Sequence, residues 1–138
     1  MKRITAILLV MLAGFFTADR LQAQSREVRA TIPFNFIVGG KQLPAGTYKF
    51  FPNNEATIVI QNRNQPITIL SMVQKKNYGV PVNVGRLTFN KYGDRYFLSE
   101  IHSTASSLNV VIPRSKLEKR TETQQASVES SQVLIAAE

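Results

Sequence analysis

This chain predicts an all-β fold: a single-domain antiparallel β-sandwich or small β-barrel with a short C-terminal helix. The prediction has three sources. Residues 28–38 alternate apolar and polar side chains, Gly, Pro and Asn turn signals recur between the short apolar runs that follow, and the one helix signal comes late, at Ser115.

The N-terminal segment stands apart from that pattern. Lys2 and Arg3 precede an apolar run from Ile4 to Phe16, broken only by Thr5 and Gly14, and Leu21-Gln22-Ala23 ends in a small residue. These are the three zones of a secretory signal, with a run short for a bilayer span, so residues 1–23 are expected to be a cleaved signal peptide. Residues 24–120 are expected to form the β domain, and 121–138 the helix end and a flexible C-terminal tail. The remaining 115 residues are enough for one core. Three of the 17 basic and one of the nine acidic residues fall in the signal, leaving a formal charge of +6. With no cysteine, the domain has neither a disulfide nor a thiol nucleophile.

Within the domain, Val28, Ala30, Ile32, Phe34, Phe36 and Val38 fall on one face of a strand, and Pro33 marks that strand as an edge or as bulged. Gly39-Gly40 breaks it. "LPAGTYKFF", 43–51, reads as a turn feeding a second strand, and Asn53-Asn54 closes a hairpin into 56–62. After "RNQP", the run 67–73 is apolar on both faces and predicts a central strand covered on each side, followed by a loop at "KKNYGVP". Val82–Asn90 and Arg95–His102 form a hairpin around Gly93. A four-residue loop, 91–94, sets Phe89 opposite Tyr96 and Leu87 opposite Leu98; a shorter loop would shift that register. "LNVVI", 108–112, brings the count to six or seven strands. Ser115 and Glu118 have capping-box spacing and predict a helix over about 116–125. The polar "QQASVESSQ" predicts a loose tail, although the terminal "VLIAA" has the composition to dock back.

Catalytic groups are sparse. His102 is the only imidazole; Ser103, Ser106 or Ser107 with His102 and Asp94 can be drawn as a triad, but no nucleophile elbow accompanies them. One His without Cys makes a poor zinc site, and no spacing selects a carboxylate pair from Glu55, Asp94 and Glu100. No phosphate-binding glycine loop occurs, so neither a cofactor nor a metal is expected. His102 is expected to end a strand at the surface.

The candidate ligand-binding residues are Lys91, Tyr92, Arg95 and Tyr96, packed around the hairpin tip. Tyrosine faces suit sugar rings or bases, and the cations suit phosphate or carboxylate. The same residue types also serve a hairpin with no ligand, through cross-strand packing and a charged tip.

"IPFNFIVGGKQLPAGTYKF", 32–50, and "LTFNKYGDRYFLSEI", 87–101, together resemble a family of small, uncharacterised exported bacterial proteins. In that family F-x-F-x-V, L-P-A-G-x-Y and Y-G-D-x-Y-F-L segments recur in this order before a basic, helix-like stretch; the resemblance implies kinship and no assigned activity. Leu43, Pro44, Gly46 and Tyr48 are also similar to the turn-plus-strand of small extracellular β-sandwich modules.

The expected role is an exported, periplasmic or extracellular, non-catalytic binding or structural module of the cell envelope. It would touch an anionic envelope component or a protein partner, with no specific nucleic acid and no transmembrane segment after signal cleavage. A small barrel holding a lipid-type ligand on the Phe34/Phe36 face is the alternative, and a hydrolase using His102 the second.

Overall fold

The computed structural model describes residues 26–77, 84–104, 106–125 and 131–138. Residues 1–23, expected to be a signal peptide, residues 78–81 of the expected loop and the first two residues of the expected strand 82–90 lie outside them.

Two curled sheets face each other across one core. The first has four antiparallel strands in the order β1 (Val28–Ile32), β4 (Gly46–Pro52), β5 (Thr57–Asn62), β6 (Thr68–Met72). The second runs β11 (Ser131–Ala137), β8 (Gly85–Tyr92), β9 (Arg95–Ser103), β10 (Leu108–Val111), β7 (Gln74–Lys75), with β2 (Phe36–Val38) joined to β9 and to β3 (Lys41–Leu43). Alternation decides the core. Val28, Ile32, Phe36, Tyr48, Phe50, Ile58, Ile60, Leu87, Phe89 and Ile101 all lie between the sheets with no solvent exposure beyond 1%. Aromatic edges fill the centre: Phe36 meets Tyr48 and Phe89 edge-on, at centroid distances of 5.1 and 5.7 Å.

The strand expected over 28–38 is two strands in different sheets. Pro33 has no N–H to continue a ladder, so β1 ends at Ile32 and the chain turns a corner before β2. The inward face survives the corner, from Val28 to Val38, while Ile37 points the other way and is buried by the helix. Gly39 and Gly40, both at positive φ, close β2 onto β3 in a two-residue turn.

The central strand expected at 67–73 is a correction. β6 is the edge of its sheet, and its outward residues Leu70 and Met72 are exposed. Apolar composition on both faces is compatible with one bare face, and no described strand pairs with its outer edge. The expected register of the β8–β9 hairpin is also corrected: the loop is only Gly93-Asp94, so Tyr92 faces Arg95 and Phe89 faces Leu98, with a bulge at Thr88/Phe89. Gly93, at φ +59°, takes the first turn position, which needs a positive φ.

Helix α1 (Lys116–Gln124) starts as expected, with Ser115 Oγ accepting from the Glu118 N–H at 3.1 Å. The Glu118 side chain does not reach back to complete the capping box. It turns under the helix, 4% exposed, and accepts from Asn90 Nδ2 at 3.0 Å. The flexible tail expected after the helix end within 121–138 is corrected in its last residues. These form β11, paired along β8 from Ser131↔Lys91 to Ala137↔Gly85, and Glu138 exchanges two backbone bonds with Arg29 of β1. The "VLIAA" run docks because Val133, Ile135 and Ala137 alternate inward against Phe89, Leu87 and Gly85. Residues 126–130 of the tail lie outside the described residues.

Candidate functional site

At the hairpin tip, the four candidate residues are spent largely on packing. Tyr92 is buried with Ile37, Phe97 and Leu117, its hydroxyl 3.5 Å from Glu118 Oε1. Burial first, and the Glu118 carboxylate second, raise the Tyr92 phenol above its ordinary range. Tyr96 stacks on Phe34 at 3.9 Å between centroids, and Lys91 Nζ sits 5.5 Å over the Tyr96 ring. Arg95 Nη1 donates to Thr121 Oγ1 at 3.4 Å. Lys91 and Tyr96 are half-buried and Arg95 is exposed, and Arg95 and Tyr96 share the wall of a hollow of about 390 Å³ with Asp94 and Leu117.

The drawn triad is not assembled. Asp94 lies in the turn that precedes β9 and His102 near the far end of that strand, eight residue steps or about 26 Å apart at the rise of a strand. His102 is buried rather than at the surface, because at its position β9 has neighbours on both sides, Arg86 on β8 and Asn109 on β10. Glu55 and Glu100 bind Lys75 and Lys76 respectively, at 3.3 and 2.7 Å. Among the described residues no three His, Cys, Asp or Glu side chains gather as a metal would require. No helix among the described residues is long and apolar enough to cross a membrane.

The end of the molecule remote from the Gly93 turn carries a cleft of about 430 Å³. Three segments build it: the β4–β5 turn with Asn53, Asn54 and Glu55; β7 and its exit with Lys75 and Lys76; and the β9–β10 turn with Ser106 and Ser107, leading into Asn109 of β10. Arg26 closes one side. Each element is there for a local reason. The Asn54 Oδ1 accepts from the Ala56 N–H at 2.9 Å and folds the first turn, and Ser103 Oγ accepts from the Ser106 N–H at 3.3 Å in the last.

Two features separate this cleft from an ordinary surface hollow. The Ser106 hydroxyl and the Asn109 side-chain oxygen Oδ1 are buried on residues that line it, without a hydrogen-bond partner among the described residues, and such groups cost free energy unless something outside the chain satisfies them. Ser107 holds φ +53°, the only non-glycine residue at positive φ among the described residues, a conformation that persists only where surrounding structure imposes it. Lys75 is held lightly by Glu55, since both side chains are mostly exposed. Neither Phe34 nor Phe36 lines this cleft: Phe36 is fully packed in the core and Phe34 stacks on Tyr96.

Along the chain these residues read singly, as turn formers, triad serines and part of a loop. The Lys75-Lys76 pair beside Asn77 was the available signal; the convergence of three separated turns was not readable along the chain. Comparison with protein-family models, with curated proteins and with solved structures returned no match.

Proposed function

We propose that the protein is an exported, non-catalytic binding module of the cell envelope that takes an anionic, hydrogen-bonding group in the cleft of Arg26, Lys75 and Ser106. One observation carries the reading: cations and unpartnered buried polar oxygens converge on one hollow. A phosphate or acidic sugar supplies negative charge to Arg26, competes with the exposed Glu55 for Lys75, and offers hydroxyls to Ser106 and Asn109. The signal-like pattern of residues 1–23 and the formal +6 of the remainder support an envelope setting.

Co-sedimentation with purified envelopes across a salt series tests it, using residues 24–138, which hold every element described. Binding is expected to fall with salt, and Arg26→Gln with Lys75→Gln to weaken it about tenfold, roughly 1.4 kcal/mol. Lys91→Gln with Arg95→Gln, at the far end, is expected to change it little. Salt-independent binding, or full binding by the cleft variant, would overturn the reading; loss only in the Lys91/Arg95 variant would move the site to the hairpin tip.

A further inference from the structure

Residues 64–74 contain no ionisable side chain, in a chain with 17 basic and nine acidic residues. This stretch includes β6, which pairs with β5 on one side and with no described strand on the other. The phase of the ladder identifies the backbone groups left over. The Asn62 N–H donates to the Ile67 carbonyl and the Val73 N–H to the Ala56 carbonyl. Residues of an antiparallel strand alternate in the direction of their backbone groups, so Ile67, Ile69, Ser71 and Val73 face β5. Thr68, Leu70 and Met72 therefore turn N–H and C=O to the free edge. Their side chains stand on the outer face, where Leu70 is 64% and Met72 72% exposed. The cross-strand row continues from Leu70 through Val59 to Phe51.

We propose that β6 pairs antiparallel with β6 of a second copy of this chain, about a two-fold axis through Leu70. In that register Leu70 faces Leu70 and Thr68 faces Met72 on either side of the axis. All are residues whose backbone groups point outward, so the three pairs exchange two hydrogen bonds each. The apolar row becomes continuous, running Phe51, Val59, Leu70 and then Leu70, Val59, Phe51 of the second copy.

Charge selects this occupant. A charged partner finds no ionisable side chain along these residues to recognise. Two copies of a basic chain repel wherever cations face, and here they meet without a like-charge pair: the same register sets Arg63 opposite Asn77, and Lys75 opposite Gln65, of the other copy. Edge strands are ordinarily blunted by Lys, Pro or a bulge. β6 has none of these; its register is regular, and Pro66 precedes it. A two-fold pairing closes after two copies and leaves no further edge of this kind exposed.

The absence of native cysteine makes the register testable. Hydrogen-bonded antiparallel partners have Cα atoms about 5.5 Å apart, within disulfide reach, so oxidised Leu70→Cys is expected to run as a covalent dimer. Met72→Cys is the control, because its counterpart lies four residues along the strand, about 13 Å away. Sedimentation equilibrium should give the wild type twice the chain mass. Leu70→Pro removes an N–H that β5 does not use, and Leu70→Lys sets two ammonium groups on the axis; each should halve the mass with the circular dichroism unchanged. If the proline variant unfolds, the lysine variant decides. A monomeric wild type, equal cross-linking of Met72→Cys and Leu70→Cys, or a mass that climbs past the dimer with concentration would overturn the proposal.

Discussion

Asn62, buried at the end of β5, shows how much of this fold rests on single polar side chains. Its Oδ1 accepts from the backbone N–H groups of Asn64 and Gln65 at 2.8 and 3.0 Å, which folds the turn into β6. Its amide also bonds the Tyr48 hydroxyl, which in turn donates to the Pro44 carbonyl at 2.7 Å. Asn62→Ala leaves these groups without their partner and is expected to cost about 1–3 kcal/mol, read as a lower urea midpoint; an unchanged midpoint would mean the turn holds without it. Glu27 gives a pH signature. Its hydrogen bond from Arg29 is the first cause holding the carboxyl below its ordinary 4.5; burial opposes this, and Lys49 adds to the lowering. A carboxyl with a depressed folded pKa favours the folded state above its unfolded value, and loses that contribution as pH falls through the folded one. The wild type should therefore exceed Glu27→Gln by a few tenths to about 1 kcal/mol at neutral pH, and the gap should close in acid. A gap that persists below the folded pKa would assign the effect to packing.

At the scale of elements, the sequence was legible wherever one face alone decided the outcome. The inward series from Val28 to Val38, the β4–β5 hairpin and the Ser115 cap all follow from local pattern, and all stand in the structure. What remained unreadable depended on partners distant in sequence. Pro33 permits either a bulge or a corner, and only β9, pairing with Ile37, draws β2 into the other sheet. Apolar residues on both faces of 67–73 do not reveal whether a further strand exists to cover them. The β8–β9 register turned on whether Lys91 and Tyr92 belong to loop or strand, and Tyr92 is held in the strand by burial under α1. Glu118 satisfied a local motif yet was claimed by Asn90 and Tyr92, two residues that lie far before it in sequence. The cleft was hidden for the same reason, since its residues are brought together from Arg26 to Val110.

Closure of the whole molecule rests on its last eight residues. β11 covers the edge of β8, and Glu138 then bonds Arg29 through N–H to carbonyl contacts of 2.7 and 2.9 Å, so one short segment ties the second sheet to the first. Val133 and Ile135, half-buried against the core, contribute about 1.5–3 kcal/mol between them by area. Without β11, Phe89 and Leu87 would line an open edge, and the β1 side of the first sheet would lose its link to the second. Ending the chain after Ser130 is therefore expected to remove a large share of a stability that for such domains totals about 5–15 kcal/mol. Two readouts distinguish closure from a passive tail. The denaturation midpoint should fall, and hydrogen exchange should quicken at β8 amides and at the Arg29 amide together, because one strand protects both. Faster exchange at β8 alone would show that the sheets are held together by core packing and not by the Arg29–Glu138 link.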